Sequence, residues 1–313
     1  MSKIYDDACE RIRTLSAHVW ENRVRKPDID RWLDNFNGGS QISEEEHDHA
    51  IHLLSHFNHF GLQEIRVLLV ALYRDLFRYP IVEEIRTSNG GTVESSLIEP
   101  AFAAQLRATR FIGMGNPSES GSHLLYYFRQ VNKLEKSQFC HHRELFEGAP
   151  GPTATLASGV RRIVFIDDVL GSGEQASIYG RKMLPELKRA AANSGVDLEL
   201  IYCVLFAKPD GLRVANGTLF DHVRAVHIVD DSELAFTPES RVYAACVPGL
   251  SRESGERMAR WYGNSLFSPG PVGYGDGQML LGLHHNVPDN TLPIIWSNTD
   301  GWFPIFERYA KEL

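Results

Sequence analysis

Residues 162–175, RIVFIDDVLGSGEQ, constrain the fold more than any other stretch of this chain. An apolar run over residues 162–166 stops at two adjacent carboxylates, Asp167 and Asp168, and a loop of small residues leads into a helical pattern over residues 175–192. A buried parallel strand reads as a continuous apolar run, and open α/β sheets hold their ligands beyond the carboxyl ends of such strands. The stretch therefore predicts a strand–loop–helix unit with a ligand at its loop.

The chemistry of this unit suits a sugar phosphate. A loop of small residues lets backbone N–H groups approach an anion closely, and the start of a helix carries unpaired N–H groups and a partial positive charge. We expect the phosphate to be held by Gly171, Ser172, Gly173, Glu174 and Gln175. Asp167 and Asp168 suit ribose hydroxyls or a phosphate-bound Mg²⁺. The alternative is a buried strand that ends in an Asp-rich turn without a ligand.

Residues 167–173 resemble the ribose-phosphate-binding motif of type I phosphoribosyltransferases: an apolar strand, two acidic residues, two spacers, and small residues around a glycine. The sequence departs from that motif at two places. Glu174 and Gln175 stand where Thr or Ser usually ends the loop. Gly171 stands where purine-type members carry a carboxylate near the base, which argues against purine salvage.

The order of patterns predicts the fold class: an α/β protein with a mostly parallel sheet flanked by helices, as in type I phosphoribosyltransferases, with an N-terminal helical region and a C-terminal β/aromatic tail. From about residue 95, helical and strand patterns alternate. Strands are expected at residues 110–114, 162–166, 198–206 and 223–229, helices at 123–134 and 251–266, and a turn at 208–211. We place the domain boundary between a helical region, 1–95, and a phosphoribosyltransferase-like domain, 96–313.

The N-terminal region reads as four helices, at residues 4–20, 29–36, 43–60 and 62–79. A capping box at Ser43–Glu46 is expected to start the third, and Pro80 to end the fourth. Four histidines of the third helix share one helical face, which predicts a solvated polar face, with a metal or pH-sensitive contact as the alternative. They are His49, His52, His56 and His59.

A second anion site is expected at residues 118–122, where hydroxyl side chains and a glycine precede a helix. In phosphoribosyltransferases the loop after an early core strand contacts pyrophosphate, so the resemblance implies this role for Ser120, Gly121 and Ser122. The alternative is an ordinary helix N-cap. Three further residues have either a ligand-binding or a structural role. Asp230 and Asp231 either line the crevice or cap a turn. Lys208 either contacts a phosphate or base or is an exposed turn residue.

The tail carries a more specific resemblance. Residues 273–275, 278–281 and 285–296 (HNVPDNTLPIIW) resemble the C-terminal signature of a bacterial phosphoribosyltransferase-like family, whose members are effectors in conflict systems, including some retrons. The resemblance extends over most of the chain and implies the phosphoribosyltransferase fold and an antiphage context. From the pattern itself we expect two short strands, 278–283 and 292–296, joined by a turn. The aromatic residues after them are expected to pack as core rather than stack on a base: Trp296, Trp302, Phe303 and Phe306.

Composition excludes several other classes. The net charge of −8 argues against a broad nucleic-acid surface, so nucleic acid is expected as a partner only indirectly. The four scattered cysteines favour free thiols in a reducing cytoplasm. No signal core and no membrane-length apolar run is visible, so we expect a cytoplasmic protein without a membrane partner. The motifs of nucleophile elbows, HExxH metalloproteases and P-loops are missing from the sequence.

The first hypothesis is thus an enzyme of the phosphoribosyltransferase class. It would bind phosphoribosyl pyrophosphate or a nucleotide with Mg²⁺ and transfer or cleave at ribose C1, as an antiphage effector, with Asp167 and Asp168 as its catalytic and metal-binding residues. The second is the same fold as an inactive ligand-binding switch. The third is a structural partner in a defence complex that docks through the helical N-terminus. The acceptor molecule, the partner proteins and the oligomeric state do not follow from the sequence.

Overall fold

A central parallel sheet organises the middle of the chain. The computed structural model describes residues 2–42, 45–115, 120–148, 150–244 and 249–309, and the side chains of Ser120 and Ser122 lie outside that description. The chain divides into two compact units. One is formed by Met1–Ile65 with Val229–Leu313, and the other by Arg66–Ile228. The boundary that we placed near residue 95 stays a prediction.

The Arg66–Ile228 unit is α/β, as the alternating patterns predicted. The strands of this unit are β2 (Thr109–Gly113), β3 (Phe146–Glu147), β4 (Thr155–Leu156), β5 (Arg162–Leu170), β6 (Glu199–Ala207) and β7 (His222–Ile228). Its main sheet has the order β2-β5-β6-β7, and every neighbouring pair is parallel. The helices are most of α4 (Leu62–Ala71), α5 (Tyr79–Ser88), α6 (Ser95–Arg107), α7 (Ser120–Val131), α8 (Glu174–Asn193) and α9 (Pro209–Asn216).

The other unit joins the N-terminal helices to the C-terminal tail. It contains α1 (Lys3–His18), α2 (Lys26–Leu33), α3 (Glu46–Ser55), α10 (Arg252–Leu266) and α11 (Pro293–Trp296), with β1 (Asn58–Phe60) parallel to β8 (Leu281–Leu283). The Trp32 indole N–H donates to the Ile294 carbonyl at 2.8 Å, and Trp20 meets Phe306 edge to face with ring centroids 5.4 Å apart. Trp296 and Phe306 are buried here, and Trp302 and Phe303 pack against the same core. The expectation that the tail aromatics form core is confirmed.

Two predictions about short elements in this unit are wrong. The third helix ends at Ser55, and residues 58–60 form β1, because they pair with β8 from the other end of the chain. Residues 293–296 are helical rather than a strand, because Pro293 sits in the first turn, where its missing N–H costs nothing. Ser43 of the expected capping box lies outside the described residues. Glu46 instead accepts from the Gly38 N–H at 2.7 Å and the Tyr262 hydroxyl at 2.6 Å.

The histidine face was also wrongly predicted. His49, His52 and His59 are buried, and His56 is half-buried. His52 Nε2 lies 2.7 Å from the Val242 carbonyl oxygen, and His59 stacks on Phe306 with ring centroids 5.0 Å apart. Contacts with Val242 and Phe306 help to bury this face, and neither residue is local in sequence.

Pro80 does not end the fourth helix. The helical path continues from α4 through a π-helical turn, Leu72–Arg78, into α5. Pro80 has no N–H to donate to the Leu76 carbonyl four residues earlier, and the Arg224 guanidinium on β7 donates to that carbonyl instead, at 2.6 Å. The turn predicted at residues 208–211 is likewise the start of α9. None of the helices in the described ranges is both long and apolar enough to cross a membrane.

Candidate functional site

The predicted site lies at the carboxyl edge of the four-stranded sheet, inside the Arg66–Ile228 unit. Because β2, β5, β6 and β7 are parallel, their carboxyl ends meet at one edge. β5 carries Asp167 and Asp168 near that end, and residues 171–173 lead directly from it into α8. This is the strand–loop–helix unit that the sequence predicts.

Asp167 points into the protein. The residue is only 3% exposed, and both of its carboxyl oxygens accept hydrogen bonds from the protein. The Tyr202 hydroxyl donates to Oδ2 at 3.0 Å, and the Asp168 backbone N–H donates to Oδ1 at 3.0 Å. Burial, and then the neighbouring Asp168 charge, raise the pKa of Asp167 well above its ordinary value. Asp167 is therefore bonded within the fold rather than turned to solvent.

Asp168 has different surroundings. It is half-buried, and its Oδ1 accepts from the Val169 backbone N–H at 2.7 Å. Successive residues of a strand alternate between the two faces of the sheet, so the two carboxyls start from opposite faces. Of the acidic pair, Asp168 is the carboxylate that remains accessible at this edge.

The loop after β5 has a backbone conformation that requires glycine. Gly173, which caps α8, has φ +80°, in the left-handed region that side chains disfavour. A Cβ there would also lie 2.7 Å from the Cβ of Val214 on α9. The Ser172 hydroxyl accepts from the Glu174 N–H at 3.3 Å. The loop thus turns tightly and directs the first turn of α8 at the sheet edge.

The start of α7 reaches the same edge. A Cβ on Gly121 would lie 2.6 Å from the Met114 carbonyl oxygen at the end of β2 and 2.9 Å from that of Ile166 on β5. Only a glycine allows so close an approach to both strands. The start of α7 therefore lies beside Ile166 of β5, the residue that directly precedes the acidic pair. Ser118 lies outside the described residues, as do the side chains of Ser120 and Ser122.

The start of α9 borders the same loop. The Lys208 backbone N–H donates to the Leu170 carbonyl at 2.9 Å, and Lys208 is half-buried as the N-cap of α9. Its position at the end of β6 puts a lysine at the sheet edge that carries Asp168.

Comparison with known proteins assigns the family. The family model PRTase-CE matches residues 29–308. The chain belongs to the PRTase-CE family. This is a phosphoribosyltransferase-like family, and the match spans most of both compact units. Among solved structures, the chain is similar to the AQ2163 protein from Aquifex aeolicus, with 11% identity, coverage of 66% of this chain and 86% of that chain, and a TM-score of 0.29. No curated protein matches the chain in sequence.

Other candidate residues of this PRTase-CE protein have local structural roles. Asp230 accepts from the Ser232 N–H at 2.9 Å and caps a short 3-10 helix, which is the turn-cap alternative. It lies in the other compact unit from Asp168. Within the described ranges, no cluster of three or more His, Cys, Asp or Glu side chains could hold a metal ion.

Tyr202 is the residue that the sequence interpretation missed. It sits in the middle of the apolar pattern ELIYCVLFA, which gives β6. The phenol of a buried tyrosine normally needs a hydrogen-bond partner, and in an interior strand that partner must come from a neighbouring strand. That signal was present in the sequence, but it could not name Asp167 as the partner.

Proposed function

We propose that this protein binds phosphoribosyl pyrophosphate or a nucleotide with Mg²⁺ at the carboxyl edge of its sheet and acts at ribose C1, as an antiphage effector in the cytoplasm. One observation carries the proposal. A tight glycine loop, the first turn of α8 and the accessible carboxylate of Asp168 lie at the end of β5, and the glycine start of α7 lies beside Ile166 of the same strand. Membership of a phosphoribosyltransferase-like family supports it.

The roles follow from charge and position. Backbone N–H groups of residues 171–175 bind the 5-phosphate at the helix start. Asp168 binds the ribose hydroxyls and favours the positive charge that develops on the ring as the bond from C1 to the leaving group breaks. Residues 120–122 bind the leaving pyrophosphate. Catalysis of this kind depends on positioning and charge stabilisation.

The residues present fit a Mg²⁺ ion that arrives with its ligand. Mg²⁺ keeps several waters and is usually bound by one or two carboxylates together with substrate phosphates. Asp168 offers one such carboxylate, whereas both Asp167 oxygens already accept protein hydrogen bonds. When bound, Mg²⁺ would neutralise pyrophosphate charge.

A specific feature favours a second candidate, a ligand-binding switch without transfer chemistry. Glu174 is exposed at the first position of α8, where the family motif ends in Thr or Ser. A carboxylate there opposes a phosphate. In this version the bound nucleotide or phosphoribosyl pyrophosphate controls contact with a protein partner in a defence complex.

A thermal-shift titration tests the proposal. Phosphoribosyl pyrophosphate with Mg²⁺ is compared with ribose 5-phosphate, nucleotides and inorganic phosphate, because a ligand that binds only the folded state raises Tm. We expect a Mg²⁺-dependent rise with phosphoribosyl pyrophosphate or a nucleotide that Asp168→Asn removes. The matched control Asp197→Asn changes an exposed aspartate of the same unit and should keep the rise.

The outcomes separate the candidates. Release of pyrophosphate or of a free base, lost in Asp168→Asn, supports the enzyme. Binding without any product over hours supports the switch. No shift with any of these ligands would contradict both.

A further inference from the structure

The two neighbouring aspartates of β5 are chemically alike but have unlike environments. Asp167 is 3% exposed, whereas Asp168 is half-buried at the sheet edge. An aspartate that serves a ligand needs an oxygen that the ligand can reach. The burial of Asp167 therefore calls for a role other than direct contact.

The hydrogen bonds of Asp167 show what it holds. One carboxyl oxygen accepts the Tyr202 O–H, and the other accepts the peptide N–H of Asp168, each at 3.0 Å. The bond to the Asp168 N–H fixes the backbone of Asp168, and with it the position from which its side chain extends. The Asp168 carboxylate is held further by the Val169 N–H.

Tyr202 is itself immobilised by packing. It is 1% exposed and stacks on Phe220, with centroids 5.1 Å apart and ring planes at 27°. Phe220 in turn meets Phe165 edge to face at 5.3 Å, and Phe165 is the register partner of Tyr202 across β5 and β6. The Tyr202 hydroxyl can move away from Asp167 only if the packing of Tyr202 against Phe220 is disrupted.

We propose that Asp167 and Tyr202 are positioning residues which hold Asp168 in place, and that Asp168 alone of the acidic pair contacts the bound ribose phosphate. This inference rests on the proposed function, and it assigns separate roles to two carboxyls that the sequence motif presents as equivalent. The chain of support runs from the aromatic core through Tyr202 and Asp167 to the backbone of Asp168.

Four variants test it in the full-length protein, with Mg²⁺ and phosphoribosyl pyrophosphate titrated by thermal shift. Asp167→Asn keeps the shape of the side chain, an oxygen to accept the Asp168 N–H and an amide to donate to Tyr202. We expect its apparent Kd within about threefold of the parent value. Asp168→Asn should weaken binding by about tenfold or more, as expected for loss of a charged contact.

The remaining variants remove the support without touching the ligand. Tyr202→Phe deletes one hydrogen bond and should weaken binding by about two- to tenfold, and Asp167→Ala, which also leaves the Tyr202 hydroxyl unsatisfied, should weaken it more. Rescue by Asn but not by Ala separates positioning from loss of a ligand contact. If Asp167→Asn binds as poorly as Asp168→Asn, Asp167 contacts the ligand and the proposal is overturned.

A ligand-free measurement keeps this result apart from failure of the proposed function. Hydrogen exchange of the Asp168 amide should be slow in the parent and in Asp167→Asn, and faster in Asp167→Ala than global unfolding explains. If the parent binds none of the ligands, the assignment of Asp168 as the ligand contact falls with the proposed function. Equal amide exchange in all variants would overturn the positioning role itself.

Discussion

Glu174 is the residue at which this chain differs most plainly from the ribose-phosphate motif that it resembles. It is exposed at the first position of α8. A carboxylate at a helix N-terminus is favourable for the helix but repels a phosphate bound at the same place. Under the proposed function, Glu174 stabilises the helix and weakens the binding of a phosphate at its N-terminus.

The charge of Glu174 at the start of α8 leads to a prediction for the variant Glu174→Thr. Removing the charge and supplying a hydroxyl should tighten binding of ribose 5-phosphate by about three- to tenfold at low salt, with a smaller gain at high salt. Isothermal titration calorimetry of the two proteins measures it. Glu174→Gln removes the charge without adding the short hydroxyl and separates the two contributions. Weaker binding in both variants would show that Glu174 contacts the ligand favourably, for example through a metal ion.

At the scale of elements, the continuity of α4 into α5 depends on a contact from a distant strand. Pro80 leaves the Leu76 carbonyl without its usual helical donor, and Arg224 on β7 supplies a charged donor to it. The π-helical turn between the two helices spans this point. The local sequence predicts that the helix ends at Pro80, but the contact from Arg224 in the sheet allows the helix to continue.

A double-mutant cycle between Pro80 and Arg224 tests this account. Arg224→Met should cost about 1.5–3 kcal/mol of unfolding free energy, the usual range for a hydrogen bond to a charged group. In a Pro80→Ala background the helix has its own N–H at that position, so the same change should cost about 1 kcal/mol less. Equal costs in both backgrounds would show that the two residues act independently.

At the scale of the whole molecule, the chain forms two compact units whose chemistry differs. The Arg66–Ile228 unit holds the parallel sheet and the candidate site. The other unit buries histidines among the N-terminal helices and the tail. His59, which is 2% exposed, has no hydrogen-bond partner for either ring nitrogen within the residues that the structure describes. Burial, followed by the Arg23 charge, lowers the pKa of His59 to about 3.

The lowered pKa makes this unit sensitive to acid. The folded pKa of His59 lies below its ordinary value of 6.5, so the unfolded chain binds the proton first. The contribution of His59 to the free energy of unfolding is complete above about pH 6.5. It is lost as the pH falls towards 3, by up to about 1.4 kcal/mol per pH unit. His56, with its pKa lowered to about 4 by burial, adds to the same trend.

Urea unfolding between pH 4 and 7 measures this trend. All five tryptophans lie outside residues 66–228, so tryptophan fluorescence follows the unit that contains His59. His59→Leu should flatten the pH dependence, whereas His18→Gln, which removes an exposed histidine of the same unit, should not. A slope in His59→Leu as steep as in the parent would contradict this origin.

Local sequence patterns are enough to predict the elements whose cause is local. The apolar run, the acidic pair and the small-residue loop predict β5, its loop and the helix after it, because periodicity and glycine conformation are properties of consecutive residues. The same local patterns predict the parallel α/β class, which the structure confirms. The resemblance of the acidic motif and the tail to known sequences indicated the phosphoribosyltransferase-like family, which the family model confirms.

Other features of the fold depend on contacts with residues that are far away in the sequence. Residues 58–60 became a strand because residues 281–283 pair with them. The histidine face became core because Val242 and Phe306 cover it, and the helix passed Pro80 because Arg224, 148 residues away from Leu76, reaches that carbonyl. Asp167 and Asp168 look equivalent in the sequence, but the hydrogen bond from Tyr202 on the neighbouring strand distinguishes their environments. Burial and hydrogen-bond partners are set by the packing of non-local segments, and local periodicity carries no record of them.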